Sequence, residues 1–284
     1  MESVLRSIFC KRLITVSLIA FALLFCACGK KDEAPSETIN VSEEPTATAA
    51  EPTPTPTPEP TEEPIPYLGV ECGKYQSTFT CEETNQWLDY WVIVPENAVE
   101  NMPLIVFLHG DGLSNRMDML SEVNIAAKTK EIYGDNFPFI LLMPNNRFPE
   151  WYKDGVGTTV KALIDEVADQ YKVNKEKIIL TGHSRGAVAV WAMVSEYGTY
   201  FSCAVPVSCG AEKIHGENFI GVPVRGLCGG WGGDEFYYEE MRSFVRIVNE
   251  SGGQAELIRM GEYDHGGMGE GAYTKETFDW MLDQ

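Results

Sequence analysis

The stretch KIILTGHSRGAVAVWAMVSEY, residues 177–197, decides how the rest of the chain is read. Lys177 to Leu180 opens it as a short apolar run, which suits a strand buried on both faces. Ala187 to Glu196 closes it as a helix. Between them lie Thr181 and Gly182-His183-Ser184-Arg185-Gly186. A Gly-x-Ser-x-Gly string by itself recurs by chance; a strand before it and a helix after it give it physical meaning. A serine on so sharp a turn has a strained backbone, and small flanking residues let the neighbouring chain pass close. The N-terminal end of the helix then favours negative charge developing beside the hydroxyl. Ser184 is therefore the candidate nucleophile, against the plainer reading of a tight turn that happens to hold a serine.

Outward from this turn, the chain alternates strands and helices. Strands are expected at Tyr75 to Thr80, Gln86 to Val94, Pro103 to Leu108, Phe137 to Met143, Cys203 to Val207, Val222 to Leu227 and Ala255 to Met260. Helices are expected at Asn115 to Glu131, Thr158 to Tyr171, Tyr238 to Asn249 and Thr274 to Leu282. The spacing of Val160, Leu163, Ile164 and Val167, and of Met241, Phe244, Val245 and Val248, is that of one helix face. The alternation predicts an α/β domain, a mostly parallel sheet with helices on both faces.

From Gln86 to Gln284 the chain resembles the α/β-hydrolase superfamily. Within it, the compact feruloyl and acetyl esterases and the polyhydroxybutyrate depolymerase-like group are most similar. The resemblance rests on the serine turn and on His109-Gly110-Asp111-Gly112, which follows the strand PLIVFL as an oxyanion loop does in that family. It implies that backbone N–H groups of Arg185 and of Gly110, Asp111 or Gly112 hold the oxyanion. Asp111-Gly112 as a simple turn dipeptide is the alternative. The family order is nucleophile, acid, histidine. Of four histidines, His265 follows the last strand and precedes the last helix, where the family carries its base. The acid is expected after the strand Val222 to Leu227, in Cys228-Gly229-Gly230-Trp231-Gly232-Gly233-Asp234-Glu235. Asp234 is the choice and Glu235 the rival, two extra glycines being a departure from the family's shorter turn. Asp264 is adjacent to His265 and poorly placed to meet its ring, and the His109 side chain is read as structural.

Trp151, Tyr152, Trp231 and Tyr237 are candidates to line a cleft for a sugar or aryl group, core or scattered surface being the alternative. Cys72 with Cys81, and Cys209 with Cys228, are candidate disulfides outside the cytoplasm, with buried free thiols the equal alternative; the sequence leaves the pairing of these four and of Cys203 open. No HExxH, EF-hand or paired Cys-x-x-Cys occurs, so neither a metal nor an organic cofactor is expected.

The 284 residues carry a net charge of −20, which disfavours both nucleic acid and anionic lipid headgroups as partners. Glycine at 26 residues and aromatics at 11% exclude a collagen-like or wholly disordered chain. Residues 1–27 read as a signal peptide: Arg6, Lys11 and Arg12 precede an apolar run too short to span a bilayer comfortably. Ala27-Cys28 resembles the lipobox of bacterial lipoproteins, which implies lipidation of Cys28, with ordinary cleavage or a retained anchor as alternatives. Residues 28–66 hold nine of the sixteen prolines and read as a Pro/Thr/Glu-rich tether. Residues 67–284 form the hydrolase domain. The expectation is an enzyme held by a lipid anchor on the extracellular side of the cell membrane. It is a serine esterase acting on carboxylic esters, with acetyl or feruloyl esters of polysaccharide as leading substrates. A serine peptidase of the same fold and a non-catalytic surface binding module are the alternatives.

Overall fold

The structure, a computed structural model, describes residues 69, 71–96, 98–147, 150–151, 155–211 and 213–284. The signal peptide and tether, Cys28 and Tyr152 lie outside them.

The described strands form one eight-stranded sheet in the order β1-β2-β4-β3-β5-β6-β7-β8. β1 (Gly73–Cys81) and β2 (Gln86–Val94) are an antiparallel hairpin, with Tyr75 opposite Val92. β2 then runs antiparallel to β4 (Ile140–Asn145). From β4 onward every pairing is parallel: β3 (Leu104–Leu108), β5 (Ile178–His183), β6 (Cys203–Val207), β7 (Val224–Trp231) and β8 (Ala255–Asp264). The helices are α1 (Met117–Leu120), α2 (Ile125–Tyr133), α3 (Val156–Gln170), α4 (Arg185–Tyr197), α5 (Asp234–Glu250), α6 (Met268–Gly271) and α7 (Lys275–Asp283).

The unbroken apolar runs are explained by two cores, one on each face. Successive side chains of a strand point to opposite faces. Leu104, Val106 and Leu108 pack with Leu163 and Val167 of α3, Trp191 of α4 and Met241 of α5. Ile105 and Phe107 pack with Ile125 of α2 and with Phe278 and Met281 of α7. With both faces covered, no position in β3 is left for a polar residue.

Several elements differ from the sequence reading, β8 among them, which runs on to Asp264 rather than ending at Met260. The single helix expected from Asn115 to Glu131 is two, because Asn124 takes φ 53° and breaks the chain between α1 and α2. β7 overshoots Leu227 and carries Gly229 and Gly230 as strand residues. A Cβ on Gly230 would stand 2.4 Å from the carbonyl oxygen of Gly261 in the neighbouring β8, so the glycines serve strand packing. The turn after β7 is therefore short, and α5 starts at Asp234, four residues before the expected Tyr238. At α7 the Thr274 side chain caps the helix, accepting from the Thr277 N–H at 3.2 Å.

Candidate active site

Ser184 stands between β5 and α4 with φ 57° and ψ −118°, a conformation that a residue with a side chain adopts only under constraint. The constraint is close packing. A Cβ on Gly186 would lie 1.8 Å from the carbonyl oxygen of Leu108, and one on Gly182 2.7 Å from the same atom. The start of α4 thus presses against the end of β3, which only glycine permits. The Ser184 N–H donates to the Val207 carbonyl at 2.9 Å, tying the turn to β6.

β8 ends at Asp264, and His265 follows it. Its Nδ1 lies 2.7 Å from Asp234 Oδ1 and its Nε2 2.9 Å from Ser184 Oγ. An ionised carboxylate can only accept, so Nδ1 carries the hydrogen and the Nε2 lone pair faces the serine hydroxyl. Asp234 is fully buried, and its other oxygen accepts from Ser208 Oγ at 2.5 Å and from the Gly229 N–H at 2.6 Å. Burial pushes its carboxyl up. The hydrogen bonds from His265, Ser208 and Gly229 outweigh that and hold it below the usual carboxylate range.

The loop after β3 reaches the same place. A Cβ on Gly110 would stand 3.1 Å from that of Ser184, and Asp111–Leu113 form one turn of 3-10 helix. Asn145, at the end of β4, braces the loop by donating to the Leu113 carbonyl at 3.0 Å and accepting from the Asn115 N–H at 3.2 Å. Beneath it His109 is buried; Nε2 accepts from the Asn146 N–H at 3.0 Å, so Nδ1 donates to the Gly110 carbonyl at 2.7 Å. Burial lowers the His109 pKa to about 4, keeping it neutral. The Asp111 carboxylate pairs with the guanidinium of Arg185, the first residue of α4. A cleft of about 640 Å³ opens over these groups, lined among others by Gly110, Asp111, Gly112, Ser184, Tyr237 and His265.

No protein-family model matches the chain. Solved structures do. A thermostable esterase superposes with a TM-score of 0.59 at 21% identity, over 74% of this chain and 63% of that one. The feruloyl esterase module of Clostridium thermocellum gives 0.56 at 13% identity, over 73% and 88%. The S-formylglutathione hydrolase of Staphylococcus aureus gives 0.56 at 15% identity, over 78% and 100%. The chain has the α/β-hydrolase fold. Among curated proteins, a bifunctional acetylxylan esterase/xylanase of Neocallimastix patriciarum is 23% identical over 163 residues, 56% of this chain. The chain spans 23% of the length of that relative.

On this hydrolase fold, Ser184, Asp234 and His265 meet in one hydrogen-bonded row, and the loop of Gly110, Asp111 and Gly112 borders the same cleft as Ser184. Glu235 turns away, accepting from the Gly233 N–H, and Asp264 accepts from the Gly267 N–H across its own turn. Of the aromatic candidates, Tyr237 lines the cleft, its ring 5.2 Å from that of His265. Trp151 does not: it is 2% exposed, packs edge-on against His109 and donates its indole N–H to the His109 carbonyl at 3.0 Å. It is core that supports the loop from below. Trp231, 53% exposed at the end of β7, is absent from the cleft lining. Cys72, Cys81, Cys203, Cys209 and Cys228 are all free thiols, so neither possible disulfide is formed. Among the described residues no group of His, Cys, Asp or Glu is placed to hold a metal ion.

Sequence reasoning missed Ser208 and His183. Ser208, at φ 58° just past β6, carries a signal only in its place at a strand end. His183 was visible inside the Gly-x-Ser-x-Gly string, but nothing in the string says where its ring points.

Proposed function

We propose that the domain is a serine esterase in which Ser184 is the nucleophile, His265 the base and Asp234 the orienting acid. The observation that carries this reading is the hydrogen-bonded row from Ser184 Oγ through His265 to the buried Asp234, opening on the cleft. Ser184 Oγ attacks the ester carbonyl as its proton passes to His265 Nε2, and the charge on the imidazole is balanced by Asp234. The N–H of Arg185 and one from the Gly110–Gly112 loop receive the negative oxygen of the tetrahedral intermediate. His265 then protonates the departing alcohol, leaving an acyl group on Ser184. Water, deprotonated by the same histidine, attacks that acyl group and releases the acid.

Acetyl or feruloyl groups on polysaccharide are the proposed substrates, supported by the feruloyl esterase and acetylxylan esterase among the similar proteins. The enzyme works outside the cell, held by a lipid on Cys28.

The test is covalent labelling with a fluorophosphonate together with hydrolysis of p-nitrophenyl acetate, methyl ferulate and a peptide amide. Wild-type protein is expected to label and to cleave the esters, while Ser184→Ala loses labelling and about 10³-fold or more in turnover. An unlabelled wild-type protein would point to a binding module, and preferential cleavage of the amide to a peptidase.

A further inference from the structure

We propose that His183 is a positioning residue for His265, its imidazole holding the backbone of the base loop against the serine turn. The inference rests on the serine esterase reading.

His183 ends β5, one residue before Ser184, and its Nε2 lies 2.8 Å from the carbonyl oxygen of His265, 82 residues further along the chain. A carbonyl only accepts, so Nε2 carries the hydrogen. The two rings lie 5.1 Å apart, tilted by 38°. The other side of the His183 ring is closed in. A Cβ on either Gly110 or Gly269 would stand 3.6 Å from Nδ1, so the oxyanion loop and α6 both border it. Burial first, and the neighbouring His265 second, lower the His183 pKa to about 4. At neutral pH the donor is therefore uncharged and does not oppose a positive charge on His265.

His265 is thus held at three points: Asp234 at Nδ1, Ser184 at Nε2, and His183 at its main-chain oxygen. The third point matters because Gly266 and Gly267 follow directly, and glycine gives a backbone little stiffness of its own. The two bonds from the turn, one to the tip of the imidazole and one to its backbone, set the distance over which the proton travels. A displacement near 1 Å in such a site costs on the order of 10²-fold in rate.

The test compares three variants on p-nitrophenyl acetate, with rates expressed per fluorophosphonate-labelled site so that only folded molecules count. His183→Ala and His183→Phe both remove the donor, and Phe keeps most of the ring volume. Each is expected to lower kcat about 10- to 100-fold with KM within about twofold. His183→Gln, whose amide N–H can reach the same carbonyl, is expected to recover most of the rate. Wild-type kcat in the Phe variant overturns the proposal. So does failure of Gln to exceed Phe, or a loss confined to the thermal midpoint. An inactive, unlabelled wild-type protein instead overturns the esterase reading itself.

Discussion

Asp234 illustrates how a single residue is made useful by its surroundings. A fully buried carboxylate is costly unless its oxygens are satisfied, and here both are, by His265, Ser208 and Gly229. Asp234→Asn is expected to lower kcat by about 10³-fold or more with little change in KM, and Glu235→Gln to stay within about tenfold, in steady-state assays. In a His265→Ala background there is no imidazolium to stabilise, so Asp234→Asn should then cost far less. A second expectation concerns pH. His109 titrates at 6.5 in the unfolded chain and at about 4 when folded, so the unfolded state takes up the extra proton between those values. Its contribution is present above pH 6.5 and is lost as pH falls toward 4, by roughly 3 kcal/mol. His183 acts in the same direction and window, and Asp234, held low, adds its loss at still lower pH. Urea unfolding at pH 7 and pH 4.5 should show the drop, and His109→Asn should reduce it, leaving the part that His183 contributes. The members of the hydrogen-bonded row were legible through the chain order that the hydrolase resemblance implies: Ser184, Asp234 and His265 each follow a strand end. Trp151 was not, because an aromatic after a strand has no periodicity to say whether it faces the cleft or the core.

The turn between β5 and α4 shows the element scale. Its backbone is strained at Ser184 and crowded at Gly186, and the two demands call for opposite substitutions. Ser184→Gly removes the unfavourable φ and should be more stable to urea than Ser184→Ala by about 1 kcal/mol, though both are expected to be inactive. Gly186→Ala places a methyl group 1.8 Å from the Leu108 oxygen and should abolish soluble folded protein, judged by circular dichroism and expression. The strands were readable because burial on both faces demands an unbroken apolar run, as in β3 and β6. Their ends were less so. β7 continues through Gly229 and Gly230, glycines that local reading assigns to a turn and that the adjacent backbone of β8 requires in a strand. The break at Asn124 was equally hidden, since the apolar spacing on either side of it fits one continuous helix.

At the scale of the whole molecule, the proposed machinery is spread over the ends of β3, β5, β7 and β8, four parallel neighbours or near neighbours in one sheet. The tether and anchor proposed for residues 28–66 make a separate expectation. Wild-type protein should partition into detergent and incorporate labelled palmitate, and Cys28→Ala should do neither. The placement of His265 has a consequence in time. β8 lies at the border of the sheet, and its 10 residues come after the nucleophile, the oxyanion loop and the acid have all been synthesised. On the proposed mechanism, Ser184 has no base until that strand docks and is until then an ordinary alcohol. A growing or half-threaded chain is therefore expected to be chemically silent, with hydrolysis appearing only with the last piece of the sheet. The appearance of turnover during refolding should accordingly lag the recovery of most secondary structure and coincide with burial of the final strand.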